Sequence, residues 1–221
     1  MDTARAAAVD QTIRDRKTVK LHAEAASPTV DRRAVVDELL AVAGWAPLHR
    51  PAADVHRGAL SSPVPWRFYA LDAAACRALR ASLGGEGGKV LEMLAAADAL
   101  VQATWLPDEP AEGAVAAGLF EPTVPNMEHV AAAGAAIQNL LLAATARGIP
   151  TYWSSGGVLR TPAVAARLGI PEREVLLGSI YLFPEDPGAA TPVVSKLRET
   201  RGDADGWSRW VDLNDGPGAR V

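Results

Sequence analysis

Residues 126–148, NMEHVAAAGAAIQNLLLAATARG, are apolar on nearly every face of a helix and stop at Gly148. A helix with no polar side has to be covered by the rest of the chain, so this stretch predicts a long, buried central helix around which the other elements pack. With 49% hydrophobic residues among 221, there is material for that packing. The longest apolar stretches are broken by Gly, Gln or Asp before reaching membrane-spanning length, and no charged, apolar, small-residue order marks the start as a secretory signal. These features predict a soluble, cytoplasmic protein without a membrane partner.

Around the central helix the chain alternates helix and strand patterns. ARAAAVDQTIRDR (4–16) and VDRRAVVDELLAVAG (30–44) read as helices, the second with Asp31 as N-cap and Gly44 as its stop. WRFYALD (66–72) reads as a strand, and helices follow at 73–83 and 87–97, separated by GGEGG. ALVQATWL (99–106) is the next strand. TPAVAARLGI (161–170) is a short helix with Thr161 as cap and Pro162 in its first turn. EVLLGSIYLF (174–183) is a central strand buried on both faces, and WSRWVDL (207–213) could add one more. No repeat or linker divides these elements, which predicts one domain over 1–221 with an α+β fold. Two stretches, 46–65 and 107–125, are too long for ordinary connections and suggest functional loops.

Several chemistries are excluded. The net charge of −4 and pI near 5.6 give no basic field for nucleic acid. One cysteine, Cys76, allows no internal disulfide, and the four histidines show neither HExxH nor i, i+4 spacing, so no metal site is expected. GGEGGKV fails as a phosphate loop because three residues, not four, separate Gly84 from Gly88, and Val90 follows Lys89. No GxGxxG follows a strand, and no GxSxG occurs.

Three stretches carry candidate chemistry. In RKTVK, Arg16, Thr18 and Lys20 would project together from an extended chain and suit a phosphate monoester; the same cations would equally serve a helix end by opposing its dipole. In TYWSSGGVL, Gly156 and Gly157 would let backbone N–H groups approach a planar ligand, although a plain turn has the same composition. In SPVPWRF, Trp66 offers a flat surface to either a ligand or the core.

In order and spacing, these stretches resemble the FMN-dependent nitroreductase superfamily, above all its minimal members. There RRS near the start, AP.H before a QPW.F strand, and G…W.SG after the central helix recur at similar intervals. The counterparts are RKT at 16–18, APLH at 46–49, PVPWRF at 63–68, IQNLLLAATARGIPTYWSSG at 137–156, and LLGSIYLF followed by SKLR. The resemblance implies a nitroreductase-like mixed sheet flanked by helices, with a C-terminal extension, assembled as an obligate-type homodimer with flavin sites at its interface. It implies that Arg16, Lys17 and Thr18 hold the FMN phosphate and ribityl chain and that Lys20 reaches the pyrimidine edge, with Lys196 and Arg198 completing the phosphate clamp. Pro47, Leu48 and His49 would touch the flavin of the other subunit, and Trp153, Ser154, Ser155 and Gly156 would line flavin N5.

The implied activity is transfer of hydride from NADH or NADPH to FMN, then of electrons to a nitroaromatic, quinone or related small-molecule acceptor in a ping-pong cycle, with no protein side chain as catalyst. Two departures stand out. Ser62 and Val64 occupy places where the family often has flavin-contacting amides, and the chain between His49 and Trp66 is longer than in the minimal members. They motivate an alternative, a flavin-sequestering or flavin-modifying protein of the same fold without nitroreductase turnover.

Overall fold

The computed structural model describes residues 2–27, 30–110 and 119–211. The chain opens with α1 (Thr3–Asp15), where the Asp2 side chain accepts the Arg5 N–H as a cap, and continues into β1 (Val19–His22). Helix α2 (Arg33–Ala43) starts later than the pattern suggests. Arg32 occupies its N-cap, and Asp31 instead accepts the Arg33 N–H from one position further out. After the long loop come β2 (Trp66–Asp72), α3 (Ala73–Ser82), α4 (Lys89–Ala96) and β3 (Ala99–Trp105). The central helix, α5 (Val124–Ala146), is capped by Thr123 and carries Pro125 in its first turn; β4 (Thr151–Ser154), α6 (Pro162–Arg167), β5 (Val175–Leu182) and β6 (Thr191–Val194) follow.

The main sheet has the order β2-β3-β5-β4, and every neighbouring pair is antiparallel. The expected mixed sheet is therefore an antiparallel one. Its reason lies in the connection from β2 to β3: α3 and α4 form a helical hairpin across GGEGG and return the chain to the end it left, pairing Asp72 with Ala99. Among the described residues, parallel pairing is confined to one bridge, Thr18 to Thr151, which attaches the antiparallel β1–β6 ribbon to the open edge of β4.

Strand β3 is buried along its whole length, and its alternation divides the core. Ala99, Val101 and Ala103 face Val36 and Leu39 of α2 and Ile137, Leu140 and Leu141 of α5. Leu100 faces the opposite layer, with Cys76, Leu79 and Leu94 from α3 and α4 and Tyr181 and Phe183 beside it. Toward the Trp105 end this second face turns polar: Ser179 Oγ donates to Gln102 Oε1, and Glu174 accepts from both Tyr69 and Thr104.

Helix α5 buries a continuous face that includes His129, Ala136, Ile137, Leu140 and Ala144, while Val124 and Met127 remain exposed. By length and composition alone it could cross a membrane, and half of its most apolar window is buried within this chain. Among the described residues, burial all round, as its composition suggests, is thus not achieved. Two further differences concern the C-terminal part. Residues 207–211 form no strand, and 212–221 lie outside the described residues, as does much of the 107–125 loop (111–118). The strand that does form there, β6, is short, contains Pro192 and is exposed at every position, so no burial pattern announces it.

Candidate functional site

The RKTVK segment leaves α1 and becomes extended at Arg16, whose backbone N–H still bonds the Thr12 carbonyl. Thr18 bridges to Thr151 at the start of β4, which places the basic segment beside TYWSSG. From the other side, β6 pairs with β1 in the register Val19–Val194, and the Ser195 N–H donates to the Thr18 carbonyl at 3.0 Å. Three stretches remote in sequence, 16–20, 151–156 and 195–201, therefore meet at one edge of the sheet.

That edge is cationic. Arg198 Nη2 donates to the Arg14 carbonyl at 2.7 Å, which anchors it near the end of α1. Burial, then the positive neighbours Arg201 and Arg198, push Arg16 below its usual range. Among the described residues no carboxylate lies within ion-pairing distance of Arg16, Arg198 or Arg201, although acidic residues outnumber basic ones 26 to 22. Three guanidinium groups are thus gathered without a counter-charge, an arrangement with the chemistry to hold an anion. Arg201 was not among the residues expected from sequence. The 3-10 turn Leu197–Thr200 explains its presence, since three residues per turn put positions 198 and 201 on one side, and the spacing RETR carries that signal. Lys196 is exposed at the same edge, Lys17 instead lines a separate cavity with Val19, Thr145 and Ile149, and the Lys20 ammonium sits 4.6 Å from the centre of the Tyr152 ring.

The adjoining segment is shaped by glycines. Gly156 has φ +107°, and a Cβ there would meet Leu176 Cδ2 at 3.0 Å and Arg160 Cγ at 3.3 Å. The Gly156 N–H is within 3.1 Å of Ser154 Oγ, and the Ser155 carbonyl accepts from Arg160 Nε at 2.6 Å, so the turn is held from within. Trp153 is 37% exposed, with its indole lying where a side chain on Gly178 would be. Gly156 and Ser154 are thus buried, with Leu176 and Arg160 packed against the glycine, and the surface of this segment is formed by Trp153, Ser155 and Gly157, which are exposed.

Pro47, Leu48 and His49 are elsewhere. Pro47 and His49 line a separate cavity of about 330 Å³ against Val124, Met127, Glu128, Ala131 and Ala132 of α5, and Leu48 is exposed. None of these cavity residues belongs to the cationic edge. Trp66 is core, at 4% exposure among Ala46, Trp105 and Ala136. Cys76 is buried on α3, and desolvation pushes its thiol up to about 12, which removes it as a nucleophile. No cluster of three metal-ligating side chains occurs among the described residues.

The protein YdjA of Escherichia coli (strain K12), named as an NAD(P)H nitroreductase, is 31% identical over 70 residues, covering 32% of this chain and 38% of that protein. The alignment thus spans well under half the length of that relative. A nitroreductase-like family protein from Bacillus cereus superposes with a TM-score of 0.53 at 20% identity, covering 90% of this chain and 96% of that one. A nitroreductase from Bacteroides fragilis, solved with bound FMN, superposes with a TM-score of 0.52 at 18% identity, covering 92% and 98%. At these identities the superpositions speak for the fold. The family model for the nitroreductases matches residues 13–182, from the basic segment through the last strand of the main sheet, and this chain belongs to the nitroreductase family.

Proposed function

We propose that this protein is a homodimeric, cytoplasmic flavin oxidoreductase, acting as a single domain, that holds FMN along the edge formed by 16–20, 151–156 and 195–201. The observation carrying this reading is the unpaired Arg16–Arg198–Arg201 cluster at the sheet edge that also carries the exposed Trp153, Ser155 and Gly157. The residues fit the group. Three guanidinium groups and the Thr18 hydroxyl suit a phosphate monoester, and the exposed Trp153 with Ser155 and Gly157 suits a flat ring system. Bound FMN would supply two-electron chemistry at its N5 atom, accepting hydride from NADH or NADPH and passing electrons to a nitroaromatic, quinone or similar acceptor.

The chain's own contribution is to bind and orient. Arg16, Arg198 and Arg201 would hold the phosphate, assisted by Lys196, whereas Lys17 lines another cavity. Lys20, already held over Tyr152, would place positive charge beside the pyrimidine edge and favour a reduced, anionic ring. Trp153 and Ser155 would face the ring, with Ser154 and Gly156 shaping the turn beneath them, and reductant and acceptor would take turns on its other face, as a ping-pong cycle requires. No side chain needs to act as acid or base. Pro47, Leu48 and His49 lie away from this edge in their own chain, which supports their contribution in trans to the site of a second copy.

The test is the absorption spectrum of the purified protein before and after NADH or NADPH under anaerobic conditions. A yellow protein bleached by the nicotinamide and re-oxidised by a quinone or nitroaromatic is expected. Protein that is colourless and takes up no FMN sinks the proposal, and protein that binds FMN without turnover replaces it with the flavin-sequestering reading.

A further inference from the structure

We propose that Arg67 is a positioning residue whose buried guanidinium fixes the long loop 46–65 as a rigid rim of the flavin site instead of a mobile lid; this rests on the functional reading above. Arg67 is the second residue of β2 and only 3% exposed. Its Nη1 donates to the carbonyls of Val64 and Trp66, each at 2.8 Å. Its Nη2 reaches those of Ser62 at 2.8 Å, Leu60 at 3.0 Å and His56 at 3.2 Å. Four carbonyl oxygens from the loop and that of Trp66 at the start of β2 converge on one cation, and among the described residues no carboxylate forms an ion pair with it. The nearest acid, Glu174, is already engaged by Tyr69 and Thr104.

This geometry explains how a loop of such length keeps one shape. Between 47 and 64 it buries only Ala52 and His56 and has no apolar core of its own, so the guanidinium takes that place. Secondary ties close the ring. The Ala52 N–H donates to the Pro63 carbonyl at 2.8 Å, Arg57 Nη2 to the Ala52 carbonyl at 3.2 Å, and His56 Nε2 to the Pro107 carbonyl at 2.8 Å, which fixes the proton on Nε2. The planar fork matters. A lysine offers three donors from one point and cannot span these acceptors, and an apolar residue would leave buried carbonyls unpaired.

Two of these contacts fall at the departures at 62 and 64. Where the family often has amides that touch the cofactor, Ser62 and Val64 here give their main-chain carbonyls to Arg67. The loop leads out of Pro47 and His49, whose cavity against α5 is the part of the chain proposed to reach the partner's site. Fixing the loop would therefore set how an acceptor enters, without touching the distant phosphate cluster. If the ordered loop were only fractionally populated, apparent affinity for the acceptor would fall by that fraction.

The experiment compares the full-length wild-type protein with Arg67→Met and Arg67→Lys by amide hydrogen exchange and by steady-state kinetics with NADH and 1,4-benzoquinone. In Arg67→Met, exchange across 52–64 should rise by about ten-fold or more while that of α5 and β3 is unchanged. KM for the quinone should rise several-fold with kcat and FMN content nearly unchanged, and Arg67→Lys should fall between the two. Unchanged loop exchange overturns the anchoring, and faster loop exchange with unmoved KM, or with kcat and KM changing only through lost FMN, overturns the positioning role. If Arg67→Met does not fold, Arg67→Lys carries the same two readouts. A wild-type protein without FMN defeats the functional reading before any variant is made and takes the role at the flavin site with it, and exchange then still decides whether Arg67 holds the loop.

Discussion

A Cβ on Gly178 would lie 2.0 Å from Trp153 Nε1, 2.5 Å from its Cδ1 and 2.8 Å from the Ser154 carbonyl oxygen. The backbone oxygen cannot retreat without breaking the β4–β5 pairing of Ser154 with Ser179, so Gly178→Ala must displace the indole and the turn after it. Overpacking of this kind costs about 1–3 kcal/mol. The expected results are a lower denaturation midpoint, a shifted tryptophan emission and weaker FMN retention; unchanged emission and midpoint would show that the indole does not rest there. Arg201 supports a second prediction at this scale. Losing one charge-assisted phosphate contact costs about 1.5–3 kcal/mol, so Arg201→Ala should weaken FMN binding by roughly ten-fold or more while leaving riboflavin, which lacks the phosphate, unaffected. Equal loss of both ligands would place Arg201 outside the phosphate site. Arg16, Thr18, Trp153 and Gly156 were legible as candidates because their motifs are local. Arg201 and Gly178 were not, since one depends on a 3-10 turn and the other on a neighbouring strand.

Local patterns sufficed for most elements, and the failures share a cause. The sequence of β3 specifies a fully buried strand, and the helical pattern over 126–148 finds α5 except for its first turn, hidden by Pro125. Strand β6 was missed because an exposed edge ribbon shows no burial period. WSRWVDL was misread because aromatic content raises strand propensity without supplying a partner. The α2 cap was misplaced by one residue because Asp31 and Arg32 compete for the boundary. Helix α3 is a clear case in which the cap decides the element: Asp72 Oδ1 accepts the Ala75 N–H at 2.8 Å, and Arg33 pairs with Oδ2. The backbone N–H first, then Arg33, hold the Asp72 carboxyl below the usual aspartate range. A depressed folded pKa means that this stabilisation is complete above the unfolded value near pH ~4 and is lost as pH falls through the lower folded value. Asp72→Ala should therefore cost about 1 kcal/mol at pH 7, and the gap from wild type should close in strongly acid solution. A gap that persists undiminished there would assign the effect to packing instead of charge.

At the scale of the whole molecule, one chain leaves unfinished what the central helix demands. Helix α1 buries none of its residues, and Val9 and Ile13, one helical turn apart, are both half exposed. They flank an apolar groove of about 380 Å³ completed by Val42 of α2 and by Leu142, Ala143 and Ala146 of α5. Pro47 and His49 lie on another part of α5, away from the cationic edge they are expected to complete. Covering the exposed α5 face and bringing 47–49 to a flavin are satisfied together if a second copy packs across this surface. Val9→Glu with Ile13→Glu places two carboxylates in the groove while leaving the buried core of each chain untouched. Each buried, unpaired charge would cost several kcal/mol, enough to dissociate a dimer held at micromolar concentration. The expected outcome in sedimentation is a shift from dimer to monomer, accompanied by loss of most bound FMN because residues 47–49 of each site depart with the partner. A variant that stays dimeric with its flavin would move the interface away from α1. A variant that is monomeric yet fully loaded would place 47–49 in their own chain's site.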